Sequence, residues 1–293
     1  MIPISGKAHD LGDGFFVTRL LPQVSRRSIG PFVFFDYFGP VDFAPGKGID
    51  VRPHPHIGLA TITYLFDGSQ MHSDTLGSVQ EIKPGDVNWM TAGRGIAHSE
   101  RTGEAVRASG HRLHGIQSWV GLPIADEEAP AAFQHFGVAD LPEHEDKGVT
   151  LRLIAGTAFG LTSPVKTFSP IFYADARFAP GGALHYAAEH EERAFLVIEG
   201  EVHSSDTQMH GPGAMLALES GEEVTLYAEA PARVMLLGGA PLDGTRHIWW
   251  NFVSSSKDRI ERAKQDWKSG AFGLIPGDDK EFIPLPEPRT DRS

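Results

Sequence analysis

The sequence predicts an all-β protein, a sandwich or barrel, and three observations predict it. Short apolar or alternating runs recur between Gly, Pro and Asp punctuation. Helical periodicity is nearly absent until the C-terminus. Turn signals of the first half return in the second at matching places, as a weak internal repeat.

In chain order, Leu59 to Phe66 reads as a strand ended by Asp67-Gly68. Val79 to Ile82 is the next, closed by the turn Lys83-Pro84-Gly85-Asp86, and Val87 to Met90 leads into the Gly-rich Thr91 to Gly95. Gly115 to Gly121 is a further strand, stopped by Leu122-Pro123. Residues 133–148 are polar, with His135, His144 and several acids, and read as a linker between residues 1–132 and 149–293. Strands resume at Val149 to Ala155, Phe168 to Tyr173, Ala194 to Ile198, Val224 to Ala228 and Val234 to Leu237. Glu199-Gly200-Glu201 follows its strand as Asp67-Gly68-Ser69 follows the earlier one, and Pro212-Gly213 matches Pro84-Gly85. One short helix is predicted near the C-terminus. Ser254, Ser255 and Ser256 offer N-caps, Ile260, Ala263 and Trp267 share a face, and Lys268-Ser269-Gly270 supplies the stop. That face is expected to dock on a barrel. The tail from Pro276 is acidic and Pro-rich and reads as extended.

The chain has 293 residues, room for two domains of ordinary size. A net charge of -12 offers no footprint for a phosphate backbone, so direct nucleic-acid binding is not expected. Cysteine is absent, which excludes disulfides, thiolate metal sites and Cys nucleophiles. No secretory signal and no membrane-length apolar run is read, so a soluble, cytoplasmic protein is expected.

The chemistry concentrates in two short segments. Arg52-Pro53-His54-Pro55-His56 carries two imidazoles one residue apart. Thr91 to Glu100 ends in His98-Ser99-Glu100 with the same spacing. On a strand, alternate side chains share a face, so His54 and His56 can meet His98 and Glu100 in one cavity. Three imidazoles and a carboxylate suit a mononuclear divalent transition metal and leave positions open, as catalytic rather than structural sites do. A lone His-x-His pair is otherwise an ordinary hydrogen-bonded pair.

The flanking text adds more. Arg52 to His56, Pro84-Gly85-Asp86-Val87-Asn88-Trp89-Met90-Thr91-Ala92-Gly93-Arg94-Gly95-Ile96-Ala97-His98-Ser99-Glu100, and Leu113-His114-Gly115-Ile116-Gln117-Ser118-Trp119-Val120 resemble the pirin family of the cupin superfamily, strongly from about residue 10 to 125 and more loosely after. The resemblance implies two tandem cupin (double-stranded β-helix, jelly-roll) barrels with a metal in the N-terminal one. Carried over by position, it implies His54, His56, His98 and Glu100 as ligands, with Fe(II) the expected ion and Mn, Ni, Cu, Co or Zn as alternatives. Cupins often place a Glu where this chain has Ala60; with the carboxylate taken from Glu100, Ala60 is expected to alter only the cavity's polarity. His185, His190, His203 and His210 do not match the ligand spacing, so the second barrel is expected to be metal-free.

The resemblance further implies quercetin 2,3-dioxygenase-type cleavage of a phenolic substrate with O2, with Glu100 as the base, or instead an iron-dependent redox sensor that meets a protein partner. A monomer is expected. His72, His111 and His114 are candidates for orienting a ligand ring or acting as a base. Arg94 is a candidate anion contact, and Trp89 and Met90 read as core or cavity wall.

Overall fold

The computed structural model describes residues 1–10, 15–205 and 207–287. The end of the predicted extended tail, residues 288–293, lies outside the described residues. Two β-barrels are built to one plan. In the first, a large sheet runs in the order Ala132–Phe136, Val87–Thr91, Leu59–Asp67, His111–Gly121, Phe32–Phe43, Phe16–Leu21, Lys7–Asp10. In the second it runs Ile2–Ile4, Met215–Leu218, Glu192–Glu199, Ala232–Gly239, Ile171–Phe178, Val149–Ala158, Glu143–Asp146. The small sheets correspond strand for strand: Asp50–His56, Ile96–Arg101, Gln70–Asp74, Val79–Ile82 against Gly182–Tyr186, Val224–Ala228, Val202–Ser204, Met209–His210. The weak repeat in the sequence is therefore a repeat of topology.

The central strands are apolar on both faces because both faces are covered. From Leu59–Asp67, Ile62, Tyr64 and Phe66 join a core shared by the two large sheets, to which the second barrel gives Tyr173, Leu196 and Met235. Inside this seam Tyr64 donates to the fully buried Asp175 at 2.9 Å, and Arg233 holds the same carboxylate through two bonds of 2.9 and 2.6 Å. The alternate residues of the second barrel's strands, such as Phe195 and Val197, fill its own interior.

Two assignments at the chain ends change. Ile2–Ile4 pairs with Met215–Leu218 of the second barrel, and the N-terminal ammonium meets Glu222 at 3.0 Å. Conversely, the C-terminal segment, grouped above with the second barrel, folds over the first. Phe252 bridges to Ile57, and Ile260 and Ala263 of the helix Lys257–Lys268 pack on that pair. Ser256 caps the helix by accepting from the Arg259 amide. Local sequence dictates an amphipathic helix; the apolar spot formed by Ile57 and Phe252, which the helix covers, dictates which barrel receives it.

Residues 133–148 contain two strand segments joined by a short 3-10 turn, Val138–Asp140. Ala132–Phe136 extends the first large sheet and Glu143–Asp146 the second, because each finds an unpaired neighbouring edge. The strand expected at Phe168 to Tyr173 is shifted to Ile171–Phe178, with Phe168 exposed among prolines. A six-residue helix, Glu104–Ser109, was not anticipated. No described helix is long and apolar enough to cross a membrane.

Candidate metal centre

Strand Asp50–His56 pairs antiparallel with Ile96–Arg101, with His54 opposite His98 and His56 opposite Ile96. Alternation turns His54 and His56 inward together, and His98 follows from the partner strand. One potential ligand atom from each of the three imidazoles falls within 4.8 Å of the others. All three rings are buried.

Their hydrogen bonds decide which nitrogen is free. The His54 Nδ1–H donates to the Arg52 carbonyl at 2.9 Å, and the His56 Nδ1–H to the Asn251 carbonyl at 3.1 Å. His98 Nδ1 faces His72 Nδ1 at 3.4 Å, while His72 Nε2–H donates to Asp74 at 3.0 Å. With its Nε2–H committed to the carboxylate, His72 offers its Nδ1 lone pair as an acceptor, so His98 donates from Nδ1. Each ligand-type ring thus keeps an Nε2 lone pair. Those of His56 and His98 stand 3.1 Å apart, two acceptors facing each other in a buried site. Only a cation, metal ion or proton, satisfies that arrangement, and burial opposes the proton. It lowers the His54 pKa to about 4 and pushes His56 and His98 well below the ordinary imidazole value. The donor set therefore fits a divalent metal ion.

Glu100 lies outside the three-imidazole cluster but lines the same cavity as His54 and His56. It sits one step beyond His98 across a register shift, opposite Val51. Burial raises its carboxyl pKa, opposed by the nearby His72 and by hydrogen bonds from Thr63 and Gln117. Thr63 Oγ1 lies 3.2 Å from Glu100 Oε1.

The cavity holds about 350 Å³, within the usual range for small-molecule sites. Phe34, Phe38, Trp119 and Trp250 give it aromatic walls. Phe34 and Trp119 stack at 3.9 Å, and the His56 ring meets the Trp119 edge at 5.1 Å. Trp250, Asn251 and Ile283 come from the C-terminal segment, so the far end of the chain closes this wall.

Of the other candidates, His72 alone reaches the centre, held between Asp74, His98 and a stacked Phe133 at 4.4 Å. His111 stacks on Phe43 outside it, and His114 bonds Tyr37 at 2.9 Å near the seam between the barrels. Arg94 is exposed, and Trp89 and Met90 are core. Ala60 belongs to the core between the barrels rather than to the cavity, so its expected effect on cavity polarity does not arise.

Among the described residues the second barrel holds no equivalent three-imidazole cluster. Val224 pairs with Tyr186 at the strand ends where Ile96 pairs with His56. Counting two residues inward puts Leu184 and Leu226 where His54 and His98 stand. Tyr186 and Leu226 are buried in an apolar core, with Leu184 packed against it. His185 is exposed beside Glu223, His190 donates to the Thr157 carbonyl, and His210 meets Ser204 at 2.9 Å. Sequence reasoning missed Asp36, Arg19, Gln117 and the Asn251 carbonyl. The alternation of Phe34, Asp36 and Phe38, and of Gln117 and Trp119, was the signal available for part of this set.

Known proteins match along most of the chain. The Pirin family model matches residues 14–120 and the model described as Pirin C-terminal cupin domain matches residues 173–273. A Caulobacter vibrioides protein named pirin-like protein is 50% identical over 281 residues, 95% of this chain and 96% of that one. A crystal structure titled quercetin 2,3-dioxygenase from Acinetobacter baumannii is 32% identical, with a TM-score of 0.90 over 100% of this chain and 96% of that one. A bacterial pirin from Escherichia coli in complex with nickel(II) shares the fold at 16% identity and a TM-score of 0.63, over 81% of this chain and 96% of that one. With both halves matched and the two-barrel plan shared, the chain belongs to the pirin family of bicupin proteins.

Proposed function

We propose that this protein is a metal-dependent dioxygenase of flavonol-type phenolic substrates, with His54, His56, His98 and Glu100 holding one divalent ion, Fe(II) by preference. The observation that carries the reading is the convergence of three imidazole lone pairs beside an aromatic-walled cavity that also contains a carboxyl group of raised pKa. The likeness to a structure titled quercetin 2,3-dioxygenase supports it. When bound, the metal would acidify a coordinated hydroxyl and offer an open position to substrate or dioxygen.

The protein's own residues supply the rest. Phe34, Trp119 and Trp250 bind a planar ring system and exclude water. Glu100, made more basic by burial, accepts the proton of the flavonol 3-hydroxyl, and Thr63 and Gln117 hold its carboxyl in place. Dioxygen is the oxidant, and the heterocycle opens with loss of carbon monoxide.

The test is oxygen consumption and carbon monoxide release by metal-loaded protein with quercetin, for wild type and Glu100→Gln. Turnover by wild type and a fall of at least 100-fold in the variant at equal metal content are expected. Full activity in the variant would overturn the base assignment. No turnover with any divalent metal, together with a partner captured only in one oxidation state, would favour the redox-sensor reading.

A further inference from the structure

The register of the first large sheet places one polar residue from each of four strands in a single row. Arg19 pairs with Asp36, Asp36 with Gln117, and Gln117 with Thr63. Arg19, Asp36 and Gln117 line the cavity, and Thr63 bonds both Gln117 at 2.8 Å and Glu100 at 3.2 Å. Three inter-strand steps give the row a length of about 14 Å. One step along the strands to either side, the neighbours are ring or apolar. Phe34 and Trp119 form one flank, and Val17 and Phe38 the other. A polar track therefore crosses the cavity between apolar rails, starting at the carboxyl beside the imidazole cluster.

The remote end of the track is a mixed donor and acceptor. Arg19 gives Nε–H and Nη2–H to the two Asp36 oxygens at 2.8 and 2.7 Å, and its guanidinium lies 4.4 Å over the Phe34 ring. Five N–H bonds on arginine and about four lone-pair sites on a carboxylate leave donors and acceptors over after this pairing. A charged ligand group would find its opposite already neutralised. A hydroxyl, which both donates and accepts, suits the pair.

Resting on the proposed function, we propose that Arg19 and Asp36 read a hydroxyl group at the end of the substrate remote from the metal centre. They are specificity residues. A skeleton with only the metal-directed hydroxyl leaves their remaining donors and acceptors unmet beside the buried Asp36 carboxylate, in a wall where Arg19 is only half-buried, which is how a polar site disfavours an analogue lacking the group.

Binding is measured without oxygen, so that no turnover intervenes, by quenching of the cavity tryptophans Trp119 and Trp250 in metal-loaded protein. The probes are quercetin and 3-hydroxyflavone, which share a skeleton and the 3-hydroxyl but differ in every other hydroxyl. Wild type is expected to favour quercetin by roughly tenfold or more. The double variant Arg19→Met, Asp36→Leu is expected to bring the two Kd values within about twofold. If that variant does not fold, Asp36→Asn is expected to cut the preference to about threefold. A preference unchanged in the variants, or absent in wild type, overturns the assignment. Oxygen uptake on 3-hydroxyflavone separates the two readings: turnover without discrimination sinks the specificity row and leaves the dioxygenase, whereas no binding of either probe sinks both.

Discussion

Replacing His72 tests how the metal centre is held. In wild type, Asp74 fixes the His72 tautomer, His72 accepts from His98, and the His98 Nε2 lone pair is thereby aimed at the site. Asp74 is itself fixed by the Leu76 and Ser78 amides at 2.9 and 3.0 Å. Burial pushes its carboxyl up, but hydrogen bonds from His72 and Ser78 outweigh this and keep its pKa below the usual carboxylate value. In His72→Leu the buried Nδ1–H of His98 has no acceptor. His98 then gains by moving its proton to Nε2, where it can donate to His56 Nε2 across the existing 3.1 Å gap. A metal must break that bond and restore an unpaired Nδ1–H, a cost of about 1–3 kcal/mol. At 1.4 kcal/mol per decade this weakens metal binding roughly 10- to 100-fold, the size known for partners of metal-bound histidines. Competition with a chelator measures the affinity, and nitrogen NMR of the metal-free protein reads the His98 tautomer. His111→Leu is the control, since that ring lies outside the centre. An affinity loss under about threefold, or an unchanged tautomer, refutes the relay.

Two further outcomes follow from the same geometry. Above pH 6.5 His54 is neutral folded or unfolded; as pH falls from there to its folded value of about 4, only the unfolded chain takes up the proton. His54 therefore costs the metal-free protein about 3 kcal/mol by pH 4, and the drop in melting temperature between pH 7 and 5 should shrink in His54→Gln; an equal drop would count against buried neutral imidazoles. Gly58→Ala should loosen the C-terminal segment, because Gly58 has φ +67° and an added Cβ would stand 2.0 Å from the Val253 carbonyl oxygen. Loss of at least 2 kcal/mol and weaker metal binding are expected from chemical denaturation and chelator titration, since Val253 adjoins the turn that brings Asn251 to His56; full metal affinity would show that the Asn251 carbonyl is dispensable.

How much of this was legible in the sequence follows from how far each contact reaches. His54, His56 and His98, the three imidazoles that converge, could be picked out because a period of two is a local property, readable within one strand. The internal repeat could be glimpsed because turns such as Lys83-Pro84-Gly85-Asp86 are local as well. The sequence shows no ligand-spaced pair among His185, His190, His203 and His210, whereas the presence of Leu184, Tyr186 and Leu226 at the corresponding positions is read only from the strand register. The support of the centre was not legible either. Asn251 lies 195 residues from the His56 ring it orients, and a main-chain carbonyl has no sequence signature at all. Ile2–Ile4 and the helix Lys257–Lys268 each cross to the other barrel, because an unpaired edge and an apolar spot decide where they dock, and both exist only after the sheets have formed. The row from Arg19 to Thr63 depends on four strands meeting in one register, and a slip of a single residue in any of them would turn its polar group out of the cavity. The convergence of the imidazoles is therefore encoded locally in two strands, whereas the polar row beside them is encoded only in how the strands are laid side by side.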